Sequence, residues 1–253
     1  MLEYKLCTAG YTTAMEYAVR ELSRSDFRIS AVPDSTVTHL LLPVPSFDAD
    51  GKIKGGVPLE PILESLSPDT VIIGGNLSHP RLSRFQKWDL LQDLNYLAQN
   101  ASITAHCAVK LALSYLPVTL SSCPVLIIGW GRIGKCLANL LKSMGATVTV
   151  AARKPQDRAM LSALGYDGAE ITAAATNIED FRIIFNTVPT MVYPQEIMAL
   201  CHPDCLKIEL ASAPGIGGND IIDGRGLPNK SAPESSGILI ANTVMTYMKG
   251  AIL

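Results

Sequence analysis

The chain has no excess of charge of either sign: 21 Lys and Arg against 23 Asp and Glu leave a formal net charge of −2. The basic footprint of a nucleic-acid binder is missing, so no nucleic-acid partner is expected. Charged residues make up only 17% and aromatics 6%, while apolar residues reach 48%, a balance that excludes wholesale disorder and calls for a buried core. Long apolar runs are absent too. Even Val118–Gly129 is interrupted by Ser121, Ser122 and Pro124, so no membrane span is expected. The opening Met1-Leu2-Glu3-Tyr4-Lys5 lacks a long apolar stretch; with no export signal in view, a cytoplasmic location is the expectation. Six cysteines are scattered along a chain too large to need disulfide staples, and free thiols follow. Their one close pair, in Cys201-His202-Pro203-Asp204-Cys205, reads as a helix end running into a turn, and no metal site is expected.

What is present is alternation. Pro124–Gly129 is a short apolar run ending at glycine, a buried parallel strand. Leu137, Leu140, Leu141 and Met144 then recur at helical spacing, and Gly145 supplies a C-terminal cap. Thr147–Ala151 is a β-branched strand, Met160, Leu161 and Leu164 mark a helix, and strands follow near Gly168–Ile171, Arg182–Thr187 and Leu206–Ala211. Pro194–Leu200 suits a helix with proline in its first turn. Ala213–Ser231, rich in glycine, reads as a long loop, and a last helix follows Pro233. In the first half, Ala14–Leu22 reads as a helix, His39–Val44 and Val71–Gly75 as strands, and Asp48–Gly51 as a turn. Two further helices are expected, around Trp88–Leu97 and over Ser102–Leu116. The expected fold is α/β: a doubly wound parallel sheet over residues 104–232, plus a smaller α/β lobe over residues 1–103, with helix 233–253 packing back on that lobe.

The sharpest motif is Gly129-Trp130-Gly131-Arg132-Ile133-Gly134, which leaves a strand and opens a helix. Gly129 permits the tight turn, Gly131 lets the backbone approach a diphosphate, and Gly134 lets helix and strand pack closely; this is the Rossmann-type dinucleotide fingerprint. The helix start offers unpaired N–H groups and a positive dipole end to phosphates. The next strand ends in Ala151-Ala152-Arg153-Lys154, with no acid to bind a ribose 2′-hydroxyl; Arg153 and Lys154 favour NADP, with NAD second. Thr187, Val188 and Pro189 end one later strand and Ser212 another, both at the edge where ligands bind in such sheets. A shikimate-dehydrogenase-like enzyme would need an early Lys–Asp pair, for which Lys52 and Lys54 near Asp50 are loosely placed. A 2-hydroxyacid-dehydrogenase-like enzyme would need a His with an acid downstream, where only His202 beside Asp204 offers itself.

Several stretches resemble the family of A-type dipicolinate synthase subunits: Gly129–Lys135, Gly145-Ala146, Ala151-Ala152-Arg153, Asn186–Pro189, Leu210–Gly215 and the tail Gly226–Gly237. In the first half Leu42–Pro45, the Asp50-Gly51 turn and Asn100–Ala108 match more loosely. The resemblance implies a substrate lobe followed by a nicotinamide-binding lobe. It implies oxidation of a dihydrodipicolinate-type ring to dipicolinate, a spore calcium chelator, and a separate B-type partner protein. The alternative is a nucleotide-binding paralogue without catalysis. Ala9-Gly10-Tyr11-Thr12 stands where the family has a glycine-rich turn followed by Asp and Arg, and the first lobe reads as shortened. Thr104-Ala105-His106 stands where the family has a Glu-containing stretch, so His106 is the candidate acid or base. Partners for a dicarboxylate substrate are sought among Ser46, Thr104 and Lys230, with Arg81, His106 and Arg225 also in reach of such a role. A homodimer is the commonest assembly for such folds.

Overall fold

Every pair of named strands among the described residues is parallel, so the chain must cross over between each strand and the next one it feeds. The computed structural model describes residues 4–25 and 27–250. They fall into two compact units: residues up to Asn100 together with those from Pro228 onward, and Ala101–Leu227. The last three residues of the expected final helix, and the first three of the chain, lie outside the described residues.

The first unit contains β1 (Lys5–Thr8), α1 (Thr13–Leu22), β2 (Arg28–Ser30), β3 (His39–Leu41), α2 (Leu59–Ser65), β4 (Val71–Gly74) and β5 (Gln86–Asp89). Its sheet runs β2-β1-β3-β4-β5, so the strand order reverses between β1 and β3. The helix α3 (Leu94–Tyr115) carries the chain from this unit into the second. There follow β6 (Pro124–Ile128), α4 (Arg132–Ser143), β7 (Thr147–Ala151), α5 (Pro155–Ala163), β8 (Asp167–Ala169), α6 (Ile171–Ala175), β9 (Ile183–Asn186), α7 (Gln195–Met198), β10 (Leu206–Glu209) and β11 (Ile221–Asp223). The second sheet runs β11-β10-β9-β6-β7-β8. This is the doubly wound order of dinucleotide-binding domains, with its switch point between β6 and β9. Then come α8 (Leu227–Ser231) and α9 (Pro233–Gly250).

Burial explains the elements of the second unit. Val125, Leu126, Ile127 and Ile128 of β6 are fully buried, as a central strand covered on both faces requires. On α4 the buried stripe is Gly134, Leu137, Ala138 and Leu141; it is rotated from the expected one, and Met144 is exposed. Gly145 (φ +85°) ends α4, with the Ala146 N–H donating to Leu141 O and the Gly145 N–H to Lys142 O. That pair of bonds is a Schellman closure.

Other expectations are corrected. The two helices expected around Trp88–Leu97 and over Ser102–Leu116 give way to a strand and one helix. Trp88 lies in β5, and α3 runs unbroken from Leu94 to Tyr115 because no glycine or proline interrupts it. Asp93 Oδ1 starts that helix by accepting from the Asn95 and Tyr96 N–H groups. Ala213–Ser231 is not all loop, since it holds β11 and α8. Among the described residues, no helix is long and apolar enough to cross a membrane.

The glycine of the tail motif has a packing reason. A Cβ at Gly237 of α9 would sit 2.4 Å from Ala14 O and 2.5 Å from Tyr17 Cβ of α1. The helices can meet only with hydrogen at that position. Gly237→Val is expected to cost about 2 kcal/mol and lower Tm by roughly 4–8 °C in a thermal melt. An unchanged melt would show that α9 does not need this close approach.

Candidate functional site

The turn between β6 and α4 uses its three glycines in three ways. Gly129 has φ +105°, and a Cβ there would lie 2.5 Å from Thr187 Oγ1. Gly134 packs against the strand end so closely that a Cβ would lie 2.2 Å from Gly129 O. Gly131 is different: its conformation is ordinary, and nothing in the protein lies within 4 Å of a Cβ built on it. The first two glycines are required by the protein's own backbone. The third leaves open space over the start of α4, where no side chain caps the helix.

The neighbouring strand ends converge on this turn. Ala152 is buried at the tip of β7, while Arg153 and Lys154 are exposed. Arg158 on α5 donates from Nη1 to Ala152 O (2.8 Å) and Arg153 O (2.9 Å), fixing the backbone that carries Arg153. Trp130 is half-buried, edge-on to Tyr166 at 5.8 Å, with the Lys135 ammonium 5.7 Å from its ring centroid. Arg132 is exposed and Ile133 half-buried. Thr187 Oγ1 donates to Ile128 O (2.8 Å), tying the β9 end to the β6 end.

The tips of β9 and β10 are locked by a residue that the sequence pattern did not single out. Glu209, 4% exposed, accepts four hydrogen bonds. Its Oε1 takes Asn186 Nδ2 (2.7 Å) and the Ala211 N–H (2.9 Å); its Oε2 takes the Gly215 N–H (2.8 Å) and the Ile216 N–H (3.4 Å). A buried carboxylate is costly unless its oxygens are so engaged. Asn186, itself fully buried, also donates to Val188 O and accepts from the Val188 N–H. One carboxylate thus fastens the Asn186–Pro189 turn to the Ala211–Ile216 turn. Gly215 makes room for this, since a Cβ there would lie 2.3 Å from Asn186 Nδ2. Beyond the turn, Tyr193 OH donates to Ile171 O (2.6 Å), and burial pushes its phenol pKa upward. Val188 is half-buried, and Pro189 and Ser212 are exposed at this edge.

The candidates for substrate contact and catalysis are not gathered in the same way. Ser46 is corrected: it is fully buried, its Oγ donates to Pro43 O and accepts from the Gly75 N–H, and its one proton is occupied in holding that turn. Thr104 is buried on α3, and His106 is exposed there. Lys230 is exposed on α8, next to Asn229, whose Nδ2 donates to Val44 O (3.0 Å). Arg81 pairs with Glu60, and Arg225 grips Asp223 through Nε (2.8 Å) and Nη2 (3.2 Å). His202 and Asp204 precede β10 beside Arg182, which precedes β9; a cavity of about 430 Å³ lies there, at the amino-terminal edge of the sheet. Ligands of doubly wound sheets bind at the opposite edge. Cys201 and Cys205 flank that turn as buried thiols; their mutual hydrogen bond lowers the pKa of Cys201 and raises that of Cys205. Among the described residues no group of three or more His, Cys, Asp or Glu side chains is placed to hold a metal ion.

This geometry agrees with what the chain resembles. Residues 94–198, most of which lie in the second unit, are similar to the NAD binding domain of the D-isomer specific 2-hydroxyacid dehydrogenases. Over 155 residues the chain is 28% identical to the A-type dipicolinate synthase subunit of Bacillus subtilis (strain 168), an alignment covering 57% of this chain and 52% of that one. It therefore spans about half the length of that relative. The fold of the A-type dipicolinate synthase subunit from Bacillus halodurans superposes with a TM-score of 0.86 at 23% identity, covering 97% of both chains. A transhydrogenase from Sinorhizobium meliloti has the same fold at a TM-score of 0.70 and 13% identity, over 98% of this chain and 94% of that one. The resemblance to the dipicolinate synthase A family is upheld. The first unit carries a five-stranded parallel sheet of its own.

Proposed function

We propose that the protein is an NADP-dependent oxidoreductase of the dipicolinate synthase A type, oxidising a dihydrodipicolinate-type ring to dipicolinate together with a B-type partner. The observation that carries the reading is the β6–α4 turn: two of its glycines are demanded by internal packing, and the third faces open space at an uncapped helix start. Such a helix start suits a diphosphate, which would take the N–H groups of the first turn of α4. Arg153, exposed on a backbone clamped by Arg158, would hold a ribose 2′-phosphate bidentately. The two turns fastened by Glu209 would border the nicotinamide half. When bound, the oxidised nicotinamide supplies the hydride acceptor. The substrate ring loses a hydride and a proton and becomes aromatic, and this chain's residues orient it and exclude water.

Trp130, one of only two tryptophans, stands on the turn and serves as a fluorescence reporter. Titration is expected to show NADPH binding more tightly than NADH, and Arg153→Asp weakening NADPH about tenfold more than NADH. An equal loss for both nucleotides would remove Arg153 from the 2′-phosphate. Dipicolinate absorbance, followed with a dihydrodipicolinate-generating system with and without the B-type partner, tests turnover. Nucleotide binding without turnover in either condition would favour a nucleotide-sensing paralogue instead.

A further inference from the structure

The first unit has a cavity of about 540 Å³ at the carboxyl ends of β3 and β4, lined by the Asp50–Ile53 turn, the Gly56–Glu60 segment, His79 and Arg81. Its walls are fixed. Phe47 and Ile53 pair as an antiparallel bridge, the Asp48 N–H donates to Lys52 O, and Asp48 Oδ1 accepts from the Asp50 and Lys52 N–H groups. Ile53 and Leu59 belong to the unit's buried core, and Phe47 packs against it. The His79 ring stacks on Phe47 with centroids 4.8 Å apart.

The polar groups of this cavity are specific in kind. His79 Nδ1 accepts from the Arg81 N–H (3.3 Å), so the neutral ring carries its proton on Nε2. Nε2 has Gly51 beside it, at φ +75°, where a Cβ would come within 3.7 Å. Arg81 and Glu60 neutralise each other. No hydrogen bond or ion pair engages the Lys52 ammonium or the Asp50 carboxylate among the described residues. The rim therefore offers one free cation and one free anion, next to an imidazole N–H and over an apolar floor. A ligand that satisfies all of them carries a carboxylate for Lys52 and His79, a nitrogen-bound proton for Asp50, and a compact carbon frame.

We propose that this cavity binds a small carboxylate whose α-carbon bears a nitrogen, held by Lys52 and His79. The proposal rests on the oxidoreductase reading only for its substrate class, since a partly reduced pyridine dicarboxylate is one such ligand. It replaces His106 with His79 as the imidazole that meets the substrate.

Calorimetric titration of the full chain with pyridine-2,6-dicarboxylate, and separately with piperidine-2-carboxylate, tests it. Lys52→Met is expected to weaken binding about tenfold or more, and His79→Gln by a smaller factor in the same direction. Lys87→Met, which removes an exposed charge elsewhere in the unit, should leave affinity unchanged within about twofold. If pyridine-2,6-dicarboxylate binds and neither Lys52→Met nor His79→Gln weakens it, the site is wrong and the substrate class stands. If piperidine-2-carboxylate binds through Lys52 and the pyridine compound, which has no nitrogen-bound proton for Asp50, does not, the site stands and takes the reduced ring but not its aromatic product. Binding of neither compound tighter than about 1 mM overturns the site.

Discussion

Replacing Glu209 with Gln is expected to weaken NADH or NADPH binding about tenfold while leaving ADP-ribose binding unchanged. The substitution keeps the size of the side chain and exchanges one acceptor oxygen for an NH2 group. That group would face one of the donors now bonded to Glu209, Asn186 Nδ2 with the Ala211 N–H or the Gly215 and Ile216 N–H groups. A buried donor left without an acceptor costs about 1–3 kcal/mol. Tm should fall by roughly 4–8 °C for a loss of about 2 kcal/mol. The more telling readout is the contrast between ligands. Glu209 holds the tips of β9 and β10, whereas the Gly129–Gly134 turn and Arg153 sit at the tips of β6 and β7. In a sheet of this order the two halves of a dinucleotide lie on opposite sides of the switch point. ADP-ribose lacks the nicotinamide and should not register the change. Equal weakening of both ligands would mean that Glu209 supports the whole domain and positions neither turn in particular.

Opposite outcomes are expected at two glycines three residues apart. Gly134→Ala places a methyl group 2.2 Å from Gly129 O, a contact that only a shift of α4 away from β6 can relieve. About 2 kcal/mol of stability should be lost, or roughly 4–8 °C in Tm. Gly131→Ser meets no neighbour, and serine is a favoured residue at a helix N-cap. The Ser variant should melt at the parent temperature or slightly above it. Its hydroxyl nevertheless occupies the N–H groups that a diphosphate would use, so NADH affinity should fall about tenfold. Parent-like nucleotide binding by Gly131→Ser would show that the diphosphate does not sit on this turn.

The second unit was legible in the sequence because its signals are local. A run of buried aliphatics from Val125 to Ile128, a glycine at each required turn and an α4 stripe of period 3.6 are all contained within a short stretch. Glu209 was not legible. Its partners are Asn186, Ala211, Gly215 and Ile216, and nothing in the run Leu206–Ala211 distinguishes an inward carboxylate from a solvated one. The first unit was harder for a related reason. Its strands β1 to β5 are three or four residues long, too short for a period to show. The pairing of Asp50, Lys52 and His79 around one cavity depends on the loops after two different strands and has no signature in spacing. Arg158 escaped notice because a cation in the first turns of a surface helix ordinarily meets only water; here two strand-end carbonyls claim it.

The tail that closes α1 through Gly237 also sets an order of assembly. The second unit is one continuous stretch, Ala101–Leu227, and is complete as soon as that stretch has left the ribosome. The first unit begins earlier but must wait for α9, which is synthesised after the whole second unit, before its α1 face is covered. During translation the later-made unit can reach its native state first, and the amino-terminal sheet acquires its final stability only once α9 has emerged.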